Sequence, residues 1–65
     1  MKYLAFRMSG FGGKYITMKV AVSNDGNTYT RQHGESLTFS HYTKNDGVLF
    51  DTLEECQDFC QKQNQ

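Results

Sequence analysis

The chain has 65 residues, 37% of them hydrophobic and 14% aromatic, and its seven basic residues balance seven acidic ones. This length predicts a single domain over residues 1–65, and the aromatic content argues against a disordered protein. No apolar run approaches the roughly 20 residues that a membrane-spanning helix needs. Arg7 interrupts the apolar start before the core of a secretory signal can form. We therefore expect a folded cytoplasmic protein, and its small core makes homo-oligomerisation a further expectation.

Two stretches near the start alternate between apolar and polar side chains, which is typical of β-strands. They cover residues 2–8 and 15–23 and are separated by the glycine-rich segment 9–13. The larger apolar side chains share one face, formed by Leu4, Phe6, Met8, Ile16, Met18, Val20 and Val22. The opposite face carries Tyr3, Arg7, Tyr15, Thr17 and Lys19, and we expect it to stay in contact with solvent.

Two Asn-Asp-Gly segments, at residues 24–26 and 45–47, predict hairpin turns. Asn and Asp tolerate positive φ and Gly adopts it readily, which is what such turns require. Alternation around these turns places Leu37 and Phe39 in the core and His41 at its edge. The further strands predicted are 27–32, 36–43 and 48–50.

The hydrophobic period changes after residue 50. Thr52 is followed three residues later by Glu55, the arrangement of a capping box at the start of a helix. An apolar stripe at helical spacing predicts a helix from about residue 53 to 62; its members are Leu53, Cys56, Phe59 and Cys60. We expect this stripe to cover the Leu4 face of the sheet. The predicted fold class is α+β, an antiparallel sheet of four to five strands with one C-terminal helix packed on one face.

No motif predicts catalysis, so we expect a protein that is not an enzyme and uses no cofactor or metal. Cys56 and Cys60 lie four residues apart on a helix, which suits neither common zinc-ligand spacing nor disulfide geometry. We expect both thiols to act as small buried hydrophobes. Residues 9–14 lack the spacing of a phosphate-binding P-loop, and a strand follows them instead of a helix.

The first functional hypothesis is a small interaction protein that docks on a larger protein and modulates it. Phage-encoded inhibitors of host or defence proteins are of this kind. Phe11, flanked by glycines at a loop tip, can anchor such a contact, and the acidic start of the helix offers another. The predicted partner-binding residues are Phe11, Lys14, Asp51, Glu54, Glu55 and Asp58.

Two alternatives follow from the uneven placement of charge. Five of the seven basic residues lie within 1–34, and six of the seven acidic residues lie within 35–65. Aromatic rings stack on bases and cations neutralise phosphates, so the first alternative is a nucleic-acid-binding module. Its candidate residues are Tyr3, Arg7, Tyr15, Lys19 and Arg31. The second alternative is a binder of small anionic ligands such as nucleotides. The zero net charge counts against nucleic acid.

Overall fold

The computed structural model describes the backbone of residues 1–65 and every side chain except that of Phe11. The elements in chain order are β1 (Lys2–Met8), β2 (Lys14–Val22), β3 (Thr28–Gln32), β4 (Phe39–Thr43), β5 (Gly47–Phe50) and α1 (Leu53–Gln63). A short 3-10 turn, Ser9–Phe11, follows β1. The predicted α+β class is confirmed, with five antiparallel strands and the C-terminal helix packed on them.

The sheet has the strand order β4-β3-β2-β1-β5. The long strand β2 joins its two halves, because residues 14–20 pair with β1 and residues 21–22 pair with β3. Strands β4 and β5 are consecutive in the chain, yet they form opposite edges of the sheet. Only residues 44–46 connect them, so the sheet has to curl until its two edges approach each other at this turn.

The two predicted hairpin turns have different outcomes. At residues 24–26 the hairpin is confirmed: Ser23 N donates to the Thr28 carbonyl over 2.9 Å, and Gly26 adopts a φ of 76°. At residues 45–47 the chain does turn, since Asp46 N donates to the Thr43 carbonyl. The prediction of a hairpin there is wrong, because β4 and β5 do not pair and β5 instead lies beside β1.

The curl encloses one hydrophobic core, which we call the inner core. Its buried residues come from the inward face of β1, β2 and β3, and side chains from all five strands pack around them. The buried members are Leu4, Met18, Val20 and Tyr29, and the partly buried ones are Phe6, Ile16, Val22, Tyr42 and Leu49. The larger apolar side chains of the two long alternating stretches, apart from Met8, are thus covered by the sheet itself.

Helix α1 packs on the other side of the sheet and forms the outer core. The buried members are Ala5, Cys56 and Cys60, and Tyr3, Tyr15, Phe50 and Phe59 pack against them. The expectation that α1 covers the Leu4 face is therefore wrong. The expectation that the Tyr3 face stays in contact with solvent is confirmed for Arg7 and Lys19, which are exposed, and is wrong for Tyr3 and Tyr15. The physical reason is that the curled sheet already buries Leu4, while the small side chains of the Ala5–Thr17 pair let the helix approach the outer face.

Both ends of α1 are fixed by side-chain hydrogen bonds. The hydroxyl of Thr52 accepts from Glu55 N over 3.2 Å and donates to the Glu55 carboxylate over 2.9 Å, which confirms the predicted N-terminal cap. At the other end the Asn64 side chain bonds both N and O of Tyr15, over 2.7 and 2.9 Å. Within the part of the chain described, no helix is long and apolar enough to cross a membrane.

The expected burial of Leu37 and Phe39 is also wrong, since their side chains are 88% and 47% exposed. Strand β4 begins only at Phe39, so Leu37 lies in the preceding turn. The register with β3 pairs Tyr42 with the buried Tyr29, which places Tyr42 on the inner face. Phe39 and His41 are out of phase with Tyr42, and both therefore face outward.

Candidate functional site

Helix α1 covers only part of the outer face of the sheet. It packs on Tyr15 and Thr17 of β2, and it leaves the outward side of β3, β4 and the end of β2 (Lys19 and Ala21) open. Cross-strand pairing brings Ala21 next to Thr30 and Gln32 next to Phe39 on this side. A groove of about 310 Å³ lies here, which we call the outer groove. Its lining residues are Met1, Lys19, Ala21, Thr30, Gln32, Gly34 and Phe39.

The turn between β3 and β4 forms a hydrogen-bonded rim of the outer groove. His33 N donates to the Thr38 carbonyl over 3.0 Å, and Ser36 N donates to the His33 carbonyl over 3.2 Å. The Gln32 side-chain amide donates to the Ser36 carbonyl over 2.9 Å. These bonds link residues 32–38 to one another within the turn, where no residue is buried.

The outer groove combines apolar and polar groups. Met1 and Phe39 expose 76% and 47% of their surfaces. Thr30 shares a 3.2 Å hydrogen bond with Nδ1 of His41. Gln32 uses its amide N–H towards Ser36, and its side-chain oxygen is an acceptor. This mixture suits contact with a molecule that has both apolar and polar surface.

Lys19 forms no ion pair with any of the described side chains. The two ion pairs among the described side chains join Lys2 to Asp51 over 2.7 Å and Lys62 to Asp58 over 3.0 Å. Neither involves Lys19, which is exposed and lines the groove. An anionic group that enters the groove would therefore meet a free ammonium.

The structure gives three of the predicted partner-binding acidic residues an internal role. Asp51 pairs with Lys2, whose hydrogen bond and positive charge lower the pKa of that carboxyl group. Glu55 belongs to the helix cap, and Asp58 pairs with Lys62. Glu54 is exposed in the first turn of α1.

The other two predicted contact residues belong elsewhere. Lys14 begins β2 beside Tyr15, which Asn64 holds at the far end of α1. Glu54 and Glu55 lie at the start of that 11-residue helix, about 15 Å away along its axis, and Asp58 lies midway along it. Phe11, named as a contact residue from the sequence, lies outside the described side chains. The predicted partner-binding residues therefore do not form one described surface.

The residues of the nucleic-acid hypothesis are separated as well. Tyr3 and Tyr15 pack under α1, where the Tyr15 ring meets Phe59 edge to face at 5.3 Å. Arg7 Nε donates to the Gly13 carbonyl over 3.1 Å. Arg31 turns to the inner side, with Nη1 3.0 Å from the sulfur of Met18. Lys19 alone of this set lines the outer groove.

The two cysteines lie between α1 and the sheet as free thiols, both buried as the sequence predicted. Thr17 Oγ1 is 3.4 Å from the sulfur of Cys60. Burial raises the pKa of the Cys56 thiol, which keeps it protonated and unreactive at neutral pH. Among the described residues, no three His, Cys, Asp or Glu side chains lie close enough together to hold a metal ion.

Most of the outer groove was missed by sequence reasoning. Lys19 was named, but Ala21, Thr30, Gln32 and Phe39 were not, because they meet only through the pairing of three strands. The available signal was the alternation of Thr30 and Gln32 with Tyr29, which marks one polar face of β3. No family model, curated protein or solved structure matches this chain.

Proposed function

We propose that this chain is a non-enzymatic interaction protein that binds a larger protein through the outer groove and modulates its activity. One observation carries the proposal: the outer groove is lined by two exposed apolar side chains, Met1 and Phe39, together with the exposed cation of Lys19. Burial of exposed apolar surface on binding contributes about 25 cal/mol per Å². A phage-type inhibitor acting in the cytoplasm is the setting we expect.

The size and openness of the groove favour a protein over an enclosed small ligand. Sites that enclose drug-sized ligands measure about 300–1,000 Å³. The outer groove, at about 310 Å³, is at the lower limit and lies open on one side. A few side chains of a protein surface fill such a groove, and the flanking sheet and turn extend the contact.

The distribution of cations supports a protein partner over nucleic acid. Nucleic-acid binding gains its affinity from several Lys and Arg side chains that neutralise neighbouring phosphates. The outer groove contains one such side chain, Lys19. Arg7 is engaged with the Gly13 carbonyl and Arg31 lies against Met18, so neither extends the groove's positive charge.

Site-specific photocrosslinking tests the proposal. A photoreactive phenylalanine analogue replaces Phe39, and the protein is expressed and irradiated in its native host cells. We expect an adduct that protease removes and nuclease does not. The matched control carries the analogue at Gln61, an exposed position of α1, and should give no such adduct. Equal adducts from both positions, no adduct, or a nuclease-sensitive adduct would contradict the proposal.

A further inference from the structure

The polar and apolar groups of the outer groove specify the chemistry of what enters it. We infer that the partner inserts an acidic segment, with a carboxylate side chain next to an apolar one. This inference rests on the proposed function, since it names the kind of protein segment that the same groove accepts.

The first argument is charge complementarity. Among the described residues that line the groove, Lys19 alone has a charged side chain. A partner that covers Lys19 without supplying an anion removes the ammonium from water with no compensating interaction, which is costly. A carboxylate placed beside it compensates that loss, and a second cation adds repulsion. The groove therefore discriminates by charge in favour of acidic segments.

The second argument concerns the type of anion. Phosphate groups are typically held by several donors, such as backbone amides at a helix start or the forked guanidinium of Arg. The outer groove offers one lysine, and its remaining polar side chains are Thr30 and Gln32. The groove therefore lacks the set of side-chain donors that typically holds a phosphate.

The third argument concerns the apolar half of the segment. Ala21 lines the groove with a small side chain, while the larger Met1 and Phe39 are exposed beside it. An aliphatic or aromatic side chain of the partner can lie over Ala21 and contact the Phe39 ring, while the neighbouring carboxylate reaches Lys19.

An NMR titration of the ¹⁵N-labelled protein tests the inference. The probes are three capped pentapeptides: acetyl-Leu-Glu-Phe-Glu-Leu-amide and its analogues with Gln or Lys in place of both Glu. We expect the amide signals of Lys19, Ala21, Thr30 and Phe39 to shift with the acidic probe. Its dissociation constant should be about three- to fivefold lower than that of the Gln probe at low salt. The Lys probe should bind more weakly still.

Two variants connect this preference to the groove. Lys19→Gln should bind the Glu and Gln probes equally, because the variant removes the charge and keeps an exposed polar side chain. Lys14→Gln, which removes an exposed lysine outside the groove, should keep the full preference. An unchanged preference in Lys19→Gln would overturn the inference.

The remaining outcomes separate this inference from the proposed function. Equal binding of all three probes, or no shift of the groove amides, overturns the acidic segment. Crosslinks from position 39 would then still support a protein partner. Stronger binding of adenosine monophosphate than of the acidic probe, at the same amides, overturns the inference in favour of a small anionic ligand. If the acidic probe is preferred but position 39 gives no crosslinks, the groove is selective for anions and the proposed function is contradicted.

Discussion

The ring of Tyr42 lies against the ring of Phe6, with centroids 5.0 Å apart and an interplanar angle of 58°. Tyr42 belongs to β4 and Phe6 to β1, and two strands separate these in the sheet. The contact exists because the sheet curls, so this pair reports directly on the curvature that encloses the inner core.

Replacing these rings tests that curvature. Phe6→Leu and Tyr42→Leu should each lower the free energy of unfolding by about 1 kcal/mol, since the swaps roughly conserve volume. The loss of unfolding free energy in the double variant should be about 0.5–1.5 kcal/mol smaller than the sum of the losses in the two single variants. Each single variant already removes the contact between the rings. Urea unfolding measures each value. Phe6→Leu combined with Phe59→Leu is the control, and should be additive because Phe59 lies in the outer core. Additivity in the Phe6–Tyr42 pair would contradict the contact.

Position 47 requires glycine because a larger side chain would not fit there, and not because of the backbone conformation. Its φ is not positive, but a Cβ atom at this position would collide with the Ala5 carbonyl in the neighbouring strand β1. We expect Gly47→Ala to destabilise the protein by about 2 kcal/mol, in the range of overpacked cores. At Gly10 a Cβ meets nothing within 4 Å, so Gly10→Ala should change stability by less than about 1 kcal/mol. Thermal unfolding followed by circular dichroism compares the two, and equal losses would refute the explanation.

The Lys2–Asp51 ion pair predicts a dependence of stability on pH. Lys2 lowers the pKa of Asp51 below its ordinary value of 3.8. A carboxyl group whose pKa is lower in the folded state stabilises that state above the unfolded pKa, and the effect disappears as the pH falls through the folded pKa. Asp51→Asn should therefore be less stable than the parent protein at pH 7 and equal to it near pH 2.

A comparison of Asp51 with Asp25 distinguishes the contribution of an ion pair to stability from that of hydrogen bonds. The pKa of Asp25 is lowered mainly by hydrogen bonds from the Ser23 hydroxyl and Asn27 N. Added salt should weaken the contribution of Asp51, which depends on an exposed ion pair, more than that of Asp25. Urea unfolding of Asp51→Asn and Asp25→Asn at low and high salt makes the comparison. A destabilisation by Asp51→Asn that persists at pH 2 would show that the ion pair is not its source.

Burial of the two cysteines predicts slow thiol chemistry. Cys56 is fully buried and Cys60 is 6% exposed, and burial raises the pKa of Cys56. Alkylation by iodoacetamide at pH 8 should therefore be slow in the native protein and fast in denaturant, as mass spectrometry can follow. An added surface thiol in Leu37→Cys, at a position that is 88% exposed, should react rapidly and serves as the control. Rapid alkylation of Cys56 under native conditions would contradict the buried position.

Local patterns predicted the elements well because strands and helix starts are encoded over a few residues. Alternation located β1 at residues 2–8 and β2 within one residue at each end. Thr52 and Glu55 predicted the helix start at Leu53, since a cap depends on residues three apart.

The side of the sheet that α1 covers was not predictable from alternation alone. Alternation shows which face has the larger apolar side chains, but both faces of β1 and β2 are covered here. The informative residues were Ala5 and Thr17, which are small and flanked by Tyr3 and Tyr15. A small pair between aromatic residues permits close approach of a helix, whereas a solvated face requires no such arrangement.

The outer groove could not be predicted from the sequence for a different reason. The Asn-Asp-Gly segment at residues 45–47 predicts a hairpin turn, and a hairpin would have paired β4 with β5. The actual pairing of β5 with β1 joins residues more than 40 positions apart, such as Tyr3 and Phe50. Without that strand order, no residue pattern shows which parts of β2, β3 and β4 remain outside α1.

The pairing of β1 with β5 also determines when this protein can fold during its synthesis. The hairpin of β1 and β2 can form early, but an isolated two-stranded hairpin is marginally stable in water. The other edge of β1 remains without its partner until residues 47–50 have left the ribosome, and α1 follows only after them. Stable structure therefore forms only after these residues have emerged, and until then the nascent β1 edge is open to pairing with other chains.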